Sequence, residues 1–120
     1  LYSLVQDRMA IYCGDDSLTL PMLALGAQGV VSIASHLAGR EIRRMMECYC
    51  DGEVGEARNI HNQLFPLFRG LFINSNPIPL KAAMNMLGLP AGVLRLPLIY
   101  ASEEEQKAIA TILKETGLLK

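Results

Sequence analysis

Two short apolar runs separated by a turn-rich connection constrain the fold of this 120-residue chain more than any other feature. The runs are Ala10–Cys13 and Val30–Ile33. Strands of a parallel sheet are covered on both faces, so they read as continuous apolar runs. The connection from Gly14 to Gln28 is long enough for a right-handed crossover through a helix. The sequence therefore predicts two buried parallel strands joined by a helix.

Two such strands cannot close a sheet by themselves, because each needs strand neighbours that the rest of the sequence does not supply. The sequence also starts at Leu1, inside a helical periodicity formed with Leu4, Val5 and Arg8, and no capping residue precedes it. We therefore expect the C-terminal part of a larger α/β protein.

Composition and charge exclude several kinds of partner. Hydrophobic residues make up 51% of the chain and charged residues 19%, which argues for a packed core and against disorder. A net charge of −1 gives no long-range attraction for nucleic acid or an anionic membrane. No apolar run approaches the roughly 20 residues of a membrane span, and three cysteines without framework spacing favour a reducing compartment. The expected location is the cytoplasm.

The later part of the chain is predicted to be helical throughout. Residues 38–50 form an amphipathic pattern that Asp51 and Gly52 end. A longer apolar stripe follows over residues 54–72, with a kink expected at Pro66 because proline removes an intrahelical hydrogen bond.

Two shorter features complete this helical part. A helix is predicted over residues 80–87, closed by Gly88, and residues 89–101 are predicted to be an extended connector because they contain two prolines and a glycine. Ser102 followed by three glutamates predicts a capping box with Glu105 at the start of the last helix.

The turn after the first predicted strand is the strongest candidate for a site, because parallel α/β proteins place their sites at the carboxyl ends of strands. Gly14 would let a ligand approach the backbone and would permit a positive φ. Asp15 and Asp16 follow, and Asp16 or Ser17 can cap a helix that runs to about Leu25. Glycine and aspartate are also common in ordinary turns. No third ligand accompanies the two carboxylates, so no metal site is predicted.

No self-sufficient catalytic group is evident elsewhere. His36 follows the second strand and could line the mouth of a site. His61 lies on an apolar stripe, so its side chain is expected to be half-buried and hydrogen-bonded. Cys48 and Cys50 fall on different helix faces, so both are expected to be packing residues. The lysines fall in the helical region or the tail, outside the strands where burial would activate an amine; they are Lys81, Lys107, Lys114 and Lys120.

Four motifs in order carry a family resemblance that covers essentially the whole chain. They are YCGDD at Tyr12–Asp16, LGAQGVVSIAS at Leu25–Ser35, NPIP at Asn76–Pro79 and LRLP at Leu94–Pro97. Together, at these separations, they resemble the C-terminal part of the dihydrodipicolinate synthase family. The resemblance implies an α/β fold in which the last two strands of an eight-stranded β/α (TIM) barrel precede a small all-helical domain. The implied boundaries are 1–52 for the barrel part and 53–120 for the helical domain.

The resemblance also implies an activity for the full-length protein. Family members are class I aldolase-type lyases that condense pyruvate, held as a Schiff base on a lysine, with aspartate 4-semialdehyde in lysine biosynthesis. They need no further cofactor or metal and form homo-oligomers, either tetramers or dimers. The Schiff-base lysine and its proton-relay partners would lie on earlier strands, so no catalytic residue is expected in this chain, which alone would be inactive.

By the same resemblance, three residues of this chain would bind substrate. Gly14 takes the position whose backbone faces substrate, Val31 takes the aliphatic position that lines the pyruvate pocket, and Asp15 would orient that pocket. The chain departs from the commonest pattern at Cys13, where serine is frequent, and at His36, where asparagine is frequent. Two alternatives remain: a sister lyase acting on N-acetylneuraminate or a 2-keto-3-deoxy sugar acid, and a stand-alone helical interaction module.

Overall fold

The computed structural model describes residues 2–5 and 8–119. Its elements in chain order are α1 (Tyr2–Val5), β1 (Tyr12–Cys13), a 3₁₀ turn (Asp16–Leu18), α2 (Thr19–Ala24), β2 (Gly29–Val30), α3 (Ser35–Cys50), α4 (Val54–Gly70), α5 (Ile78–Met86) and α6 (Glu103–Glu115). A helical periodicity was predicted at the start of the chain. Leu4 and Val5 of that pattern lie in α1, and Leu1 lies outside the described residues. None of the described helices is long and apolar enough to cross a membrane.

The two predicted strands pair in parallel, with Tyr12 opposite Gly29 and Cys13 opposite Val30. Each has two residues and is shorter than predicted. The backbone N–H of Gln28 donates to the carbonyl of Ile11 at 2.8 Å, which adds one bond to the start of the ladder. Burial on both faces is not seen among the described residues, because Tyr12 is 58% exposed whereas Cys13 is buried. The described residues form a sheet of two strands.

The crossover between the strands contains α2, as predicted, and a glycine follows the end of that helix. Pro21 is the third residue of α2, where its missing N–H breaks no intrahelical bond. Gly26 then adopts a φ of 95°, in the left-handed region that favours glycine, and the chain turns towards β2.

The helix α3 begins at Ser35, earlier than the predicted residue 38. Ala38 has non-helical angles (φ −129°, ψ 36°), so the predicted start coincides with a break inside the helix. Beyond it, Ile42 and Met45 are buried and confirm the predicted apolar face. Asp51 follows the last helical residue, and Gly52 has a φ of 84°, which ends the helix where the sequence predicts.

The core lies between α3, α4, α5 and α6. The helix α4 continues through Pro66 to Gly70. Leu64 and Phe68 of its predicted stripe are buried, and so is Leu67, which the stripe did not include. At its C-terminal end α4 packs closely against α6: a Cβ added to Gly70 would meet the side chain of Ile112, including its terminal Cδ1. A side chain at position 70 would therefore require the Ile112 side chain to move.

The helix α5 starts at Ile78, two residues before the predicted start, because Pro79 is tolerated in the first turn of a helix. It ends at Met86, and Gly88 has a φ of 72°. Residues 89–102 have no helix or strand, as predicted for the connector. The ammonium of Lys81 donates to the carbonyl of Val93 at 2.7 Å and so ties this connector to α5.

The last helix, α6, confirms the predicted capping box. The N–H of Glu105 donates to the hydroxyl of Ser102 at 3.2 Å, and the N–H of Ser102 donates to Oε2 of Glu105 at 2.7 Å. The other carboxylate oxygen of Glu105 accepts from the amide of Asn74 at 2.7 Å. The bonds from Ser102 and then Asn74 hold the pKa of Glu105 below its usual value.

Candidate functional site

The structure places Gly14 and Val31 at the carboxyl edge of the β1–β2 pair. Each directly follows its strand, and the parallel register sets the ends of the two strands side by side. The N–H of Val31 donates to the carbonyl of Cys13 at 2.8 Å, which is the last bond of the ladder. The Val31 side chain is 74% exposed, and a Cβ at Gly14 would meet no atom within 4 Å. Among the described residues, both positions are therefore open at this edge.

The expected conformational need for glycine at position 14 is absent. Gly14 is not among the glycines with positive φ, a set that consists of Gly26, Gly52, Gly88, Gly92 and Gly117. An L-residue can therefore adopt this backbone conformation. What distinguishes the position is the open space beside its Cα.

Asp15 forms the turn that follows Gly14. Its Oδ1 accepts hydrogen bonds from the N–H of Ser17 at 2.8 Å and from the Ser17 hydroxyl at 2.6 Å. The hydroxyl bond is the main cause that lowers the pKa of Asp15, and Arg69 adds a weaker favourable attraction. Asp15 thus caps the 3₁₀ turn, and the prediction that Asp16 or Ser17 would be the cap is wrong.

Asp16 is directed towards the second strand instead. It is 3% exposed, and its carboxylate accepts three hydrogen bonds from the segment that follows β2. The hydroxyl of Ser32 donates to Oδ1, and the N–H groups of Ile33 and Ala34 donate to Oδ2, each at 3.1 Å. This contact was not predicted. The sequence signal for it is a carboxylate after one parallel strand and a serine after the next, since both strands end at the same edge.

The remaining candidates lie apart from this arrangement or play other roles. His36 is exposed in the first turn of α3. His61 packs against Phe65 and Phe68, with ring centroids 5.7 and 5.9 Å away. Its half-burial is confirmed, but the expected hydrogen bonding is wrong, because its buried Nδ1 has no partner among the described residues. Burial lowers the pKa of His61. Cys48 is half-buried, whereas Cys50 is exposed, so the prediction that both are packing residues is wrong for Cys50.

Two further features bear on cofactor binding. In the part of the chain that the structure describes, no three histidine, cysteine, aspartate or glutamate side chains are grouped as metal ligands would be. A cavity of about 310 Å³ lies between α5, the connector and α6, and its lining includes Lys81, Asn85 and Gln106. Neither Gly14 nor Val31 borders that cavity, so it is separate from the edge of the strand pair.

Comparison with known proteins agrees with the sequence resemblance. A model of the dihydrodipicolinate synthetase family matches residues 1–116. The chain belongs to this family. A 4-hydroxy-tetrahydrodipicolinate synthase from Synechococcus elongatus is 53% identical over 118 residues, which are 98% of this chain and 40% of that protein. The chain thus spans about 40% of the length of the curated relatives that it matches.

Solved structures of the family share the fold of this chain. A dihydrodipicolinate synthase from Cyanidioschyzon merolae with lysine bound is 46% identical, with a TM-score of 0.89 over 93% of this chain and 38% of that one. One from Acinetobacter baumannii complexed with pyruvate is 28% identical, with a TM-score of 0.91 over 98% of this chain and 40% of that one. The structural neighbours are TIM-barrel proteins, so this family member corresponds to part of a barrel protein.

Proposed function

We propose that the complete protein is a 4-hydroxy-tetrahydrodipicolinate synthase, a class I aldolase-type lyase that condenses pyruvate with aspartate 4-semialdehyde in lysine biosynthesis. The observation that carries this proposal is the 53% identity over 98% of the chain to a protein of that name. The pyruvate complex of a family member with the same fold supports pyruvate as the first substrate. The enzyme is expected to act as a homo-oligomer.

Within that enzyme, residues 1–52 would contribute the last two strands of an eight-stranded barrel, and residues 53–120 would form a helical domain. Two features support this division. Both strands of the described chain precede Gly52, and only helices follow it. The chain also changes direction at Gly52, where a positive φ separates α3 from α4.

The pyruvate pocket would use the carboxyl edge of β1 and β2. Val31 would supply an aliphatic wall, and Gly14 would allow the substrate to approach the main chain, because no side chain occupies that space. Asp15 would hold the turn that carries Gly14 through its bonds to Ser17, which also favour its ionised form. These three residues would bind and orient substrate, and the Schiff-base lysine would come from outside this chain.

Borohydride trapping of the complete protein tests the proposal. Pyruvate bound as an imine to a lysine is reduced by borohydride to a stable secondary amine, which mass spectrometry locates. We expect one adduct, on a lysine outside this chain, because the described lysines lie on α5 and α6 and not on a strand; they are Lys81, Lys107 and Lys114. The control omits pyruvate. Failure to form an adduct, or an adduct on one of those lysines, would overturn the proposal.

A further inference from the structure

We propose that Asp16 is a positioning residue of the pyruvate pocket: its buried carboxylate fixes the separation between the Gly14 turn and Val31. This inference rests on the proposed function, since it assigns a role within that pocket. Asp16 lies two residues after Gly14, and its bonding partner Ser32 lies directly after Val31. One side chain therefore links the two pocket residues that lie on different strands.

The backbone alone holds this edge weakly. The β1–β2 pair has two residues in each strand, and its last ladder bond joins Val31 N–H to the Cys13 carbonyl. Both Gly14 and Val31 lie at or beyond that bond. The next connections across the edge are the three hydrogen bonds to the Asp16 carboxylate. Asp16 therefore continues the ladder by means of a side chain where the strands have ended.

The segment that Asp16 binds is itself held in place. The N–H of Ser35 donates to the hydroxyl oxygen of Ser32 at 2.8 Å, and the Ser35 hydroxyl donates to the Ser32 carbonyl at 3.0 Å. These bonds fasten Ser32 to the first turn of α3. The fully buried Ala34 and Ala38 pack this end of α3 into the core. Asp16 thus ties the Gly14 turn to a fixed part of the fold rather than to a free loop.

A carboxylate is the group that suits three converging donors, because it accepts hydrogen bonds on both oxygens and donates none. Such charge-assisted bonds are stronger than neutral ones. An asparagine at position 16 could accept from Ile33 and Ala34 with its oxygen, but its amide group would then face Ser32 as a donor. Asp16→Asn therefore keeps a weakened link, whereas Asp16→Ala removes it.

The neighbouring Asp15 does not share this role. Both of its side-chain bonds go to Ser17, two residues away, and none reaches the second strand. Two adjacent carboxylates of equal charge thus differ in what they hold: Asp15 shapes its own turn, and Asp16 joins that turn to the segment after Val31.

The test measures pyruvate KM, kcat and the thermal midpoint of the complete protein. We expect Asp16→Ala to raise the pyruvate KM about tenfold or more, since small displacements of positioning groups have effects of this size, and Asp16→Asn to raise it less. Leu113→Ala is the matched control for stability, because Leu113 is fully buried in α6, away from the strand edge. It should lower the thermal midpoint and leave the KM unchanged.

A double-mutant cycle with Ser32→Ala provides a second, milder test. Ser32→Ala removes one of the three bonds, so it should raise the KM by itself and have little further effect in Asp16→Ala. If Asp16→Ala does not fold, Asp16→Asn and Ser32→Ala must show the rise. A comparable rise of the KM in Leu113→Ala, which would tie the KM to the thermal midpoint, or a wild-type KM in the folded Asp16 and Ser32 variants, would overturn the inference. Failure of the wild-type protein to form a pyruvate adduct would instead refute the proposed function.

Discussion

Replacing Gly70 by alanine tests whether the close packing of α4 against α6 requires a glycine. A Cβ at this position would meet Cδ1 of Ile112 and lie 3.2 and 3.3 Å from its Cγ2 and Cγ1. Gly55 provides a matched control, because it lies on the same helix and a Cβ there would meet no atom within 4 Å. Neither glycine has a positive φ, so backbone strain does not distinguish the two substitutions.

The expected magnitudes follow from two opposing terms. Alanine favours the helix over glycine by at most about 1 kcal/mol at either position. At Gly70 the added methyl group must also displace Ile112, and such overpacking costs about 1–3 kcal/mol. Gly55→Ala should therefore leave the free energy of unfolding unchanged or raise it by up to about 1 kcal/mol. Gly70→Ala should be less stable than Gly55→Ala by about 1–3 kcal/mol, since the helix-propensity terms largely cancel.

The free energies are measured by urea unfolding of the complete protein at one protein concentration, because oligomerisation shifts apparent stability. Ile112→Val removes Cδ1 and alone should cost about 0.5–1.5 kcal/mol. In the Gly70→Ala background it should cost less or restore stability, because it removes the atom in conflict. Additive effects in this cycle, or equal stability of the two alanine variants, would refute the packing argument.

Three further predictions concern the strand edge, a helix start and a buried histidine. Gly14→Val should lower turnover of the complete enzyme about tenfold or more with an unchanged thermal midpoint, because its Cβ has open space; equal losses of activity and fold would make Gly14 a structural residue. Ser102→Ala should reduce the urea-derived free energy of unfolding by about 1 kcal/mol, because the Glu105 N–H loses its acceptor; a midpoint equal to wild type would contradict this. Burial lowers the pKa of His61, so the unfolded chain binds the proton first and stability should fall as the pH drops below about 6.5. His61→Leu should have a smaller loss of thermal midpoint over that range, and identical pH profiles would count against this cause.

The features that were predicted correctly depend on residues close together in sequence. The capping box needs only Ser102 and Glu105, and the ends of α3 and α5 need only a glycine that can adopt positive φ, at Gly52 and Gly88. The parallel pairing also followed from a local pattern, two apolar runs with a long connection. The strands proved shorter than predicted because their length depends on partners across the sheet, which a pattern along the chain does not specify.

Topology predicted part of the candidate edge but not its internal bonding. Gly14 follows the first predicted strand, so its place at the carboxyl edge came from topology, whereas Val31 lay inside the predicted second strand and was named through the family resemblance. The roles of Asp15 and Asp16 were not separable from spacing, since either carboxylate can cap a following turn. Only the folded chain brings Ser32 within bonding distance of Asp16, across 16 positions of sequence. Capping rules consider only residues near a helix start, so they do not predict a contact between distant positions.

The hydrogen bonds of Glu105 should constrain how its position evolves, because its two carboxylate oxygens bind different parts of the chain. One accepts from the N–H of Ser102 and the other from the amide of Asn74, in the loop between α4 and α5. Aspartate is one methylene shorter, and glutamine has one acceptor oxygen where two are needed. Substitution at position 105 should therefore be accompanied by substitution at 74 or 102. Across the descendants of a common ancestor, these three positions should change as a correlated set, while exposed neighbours such as Glu104 drift independently.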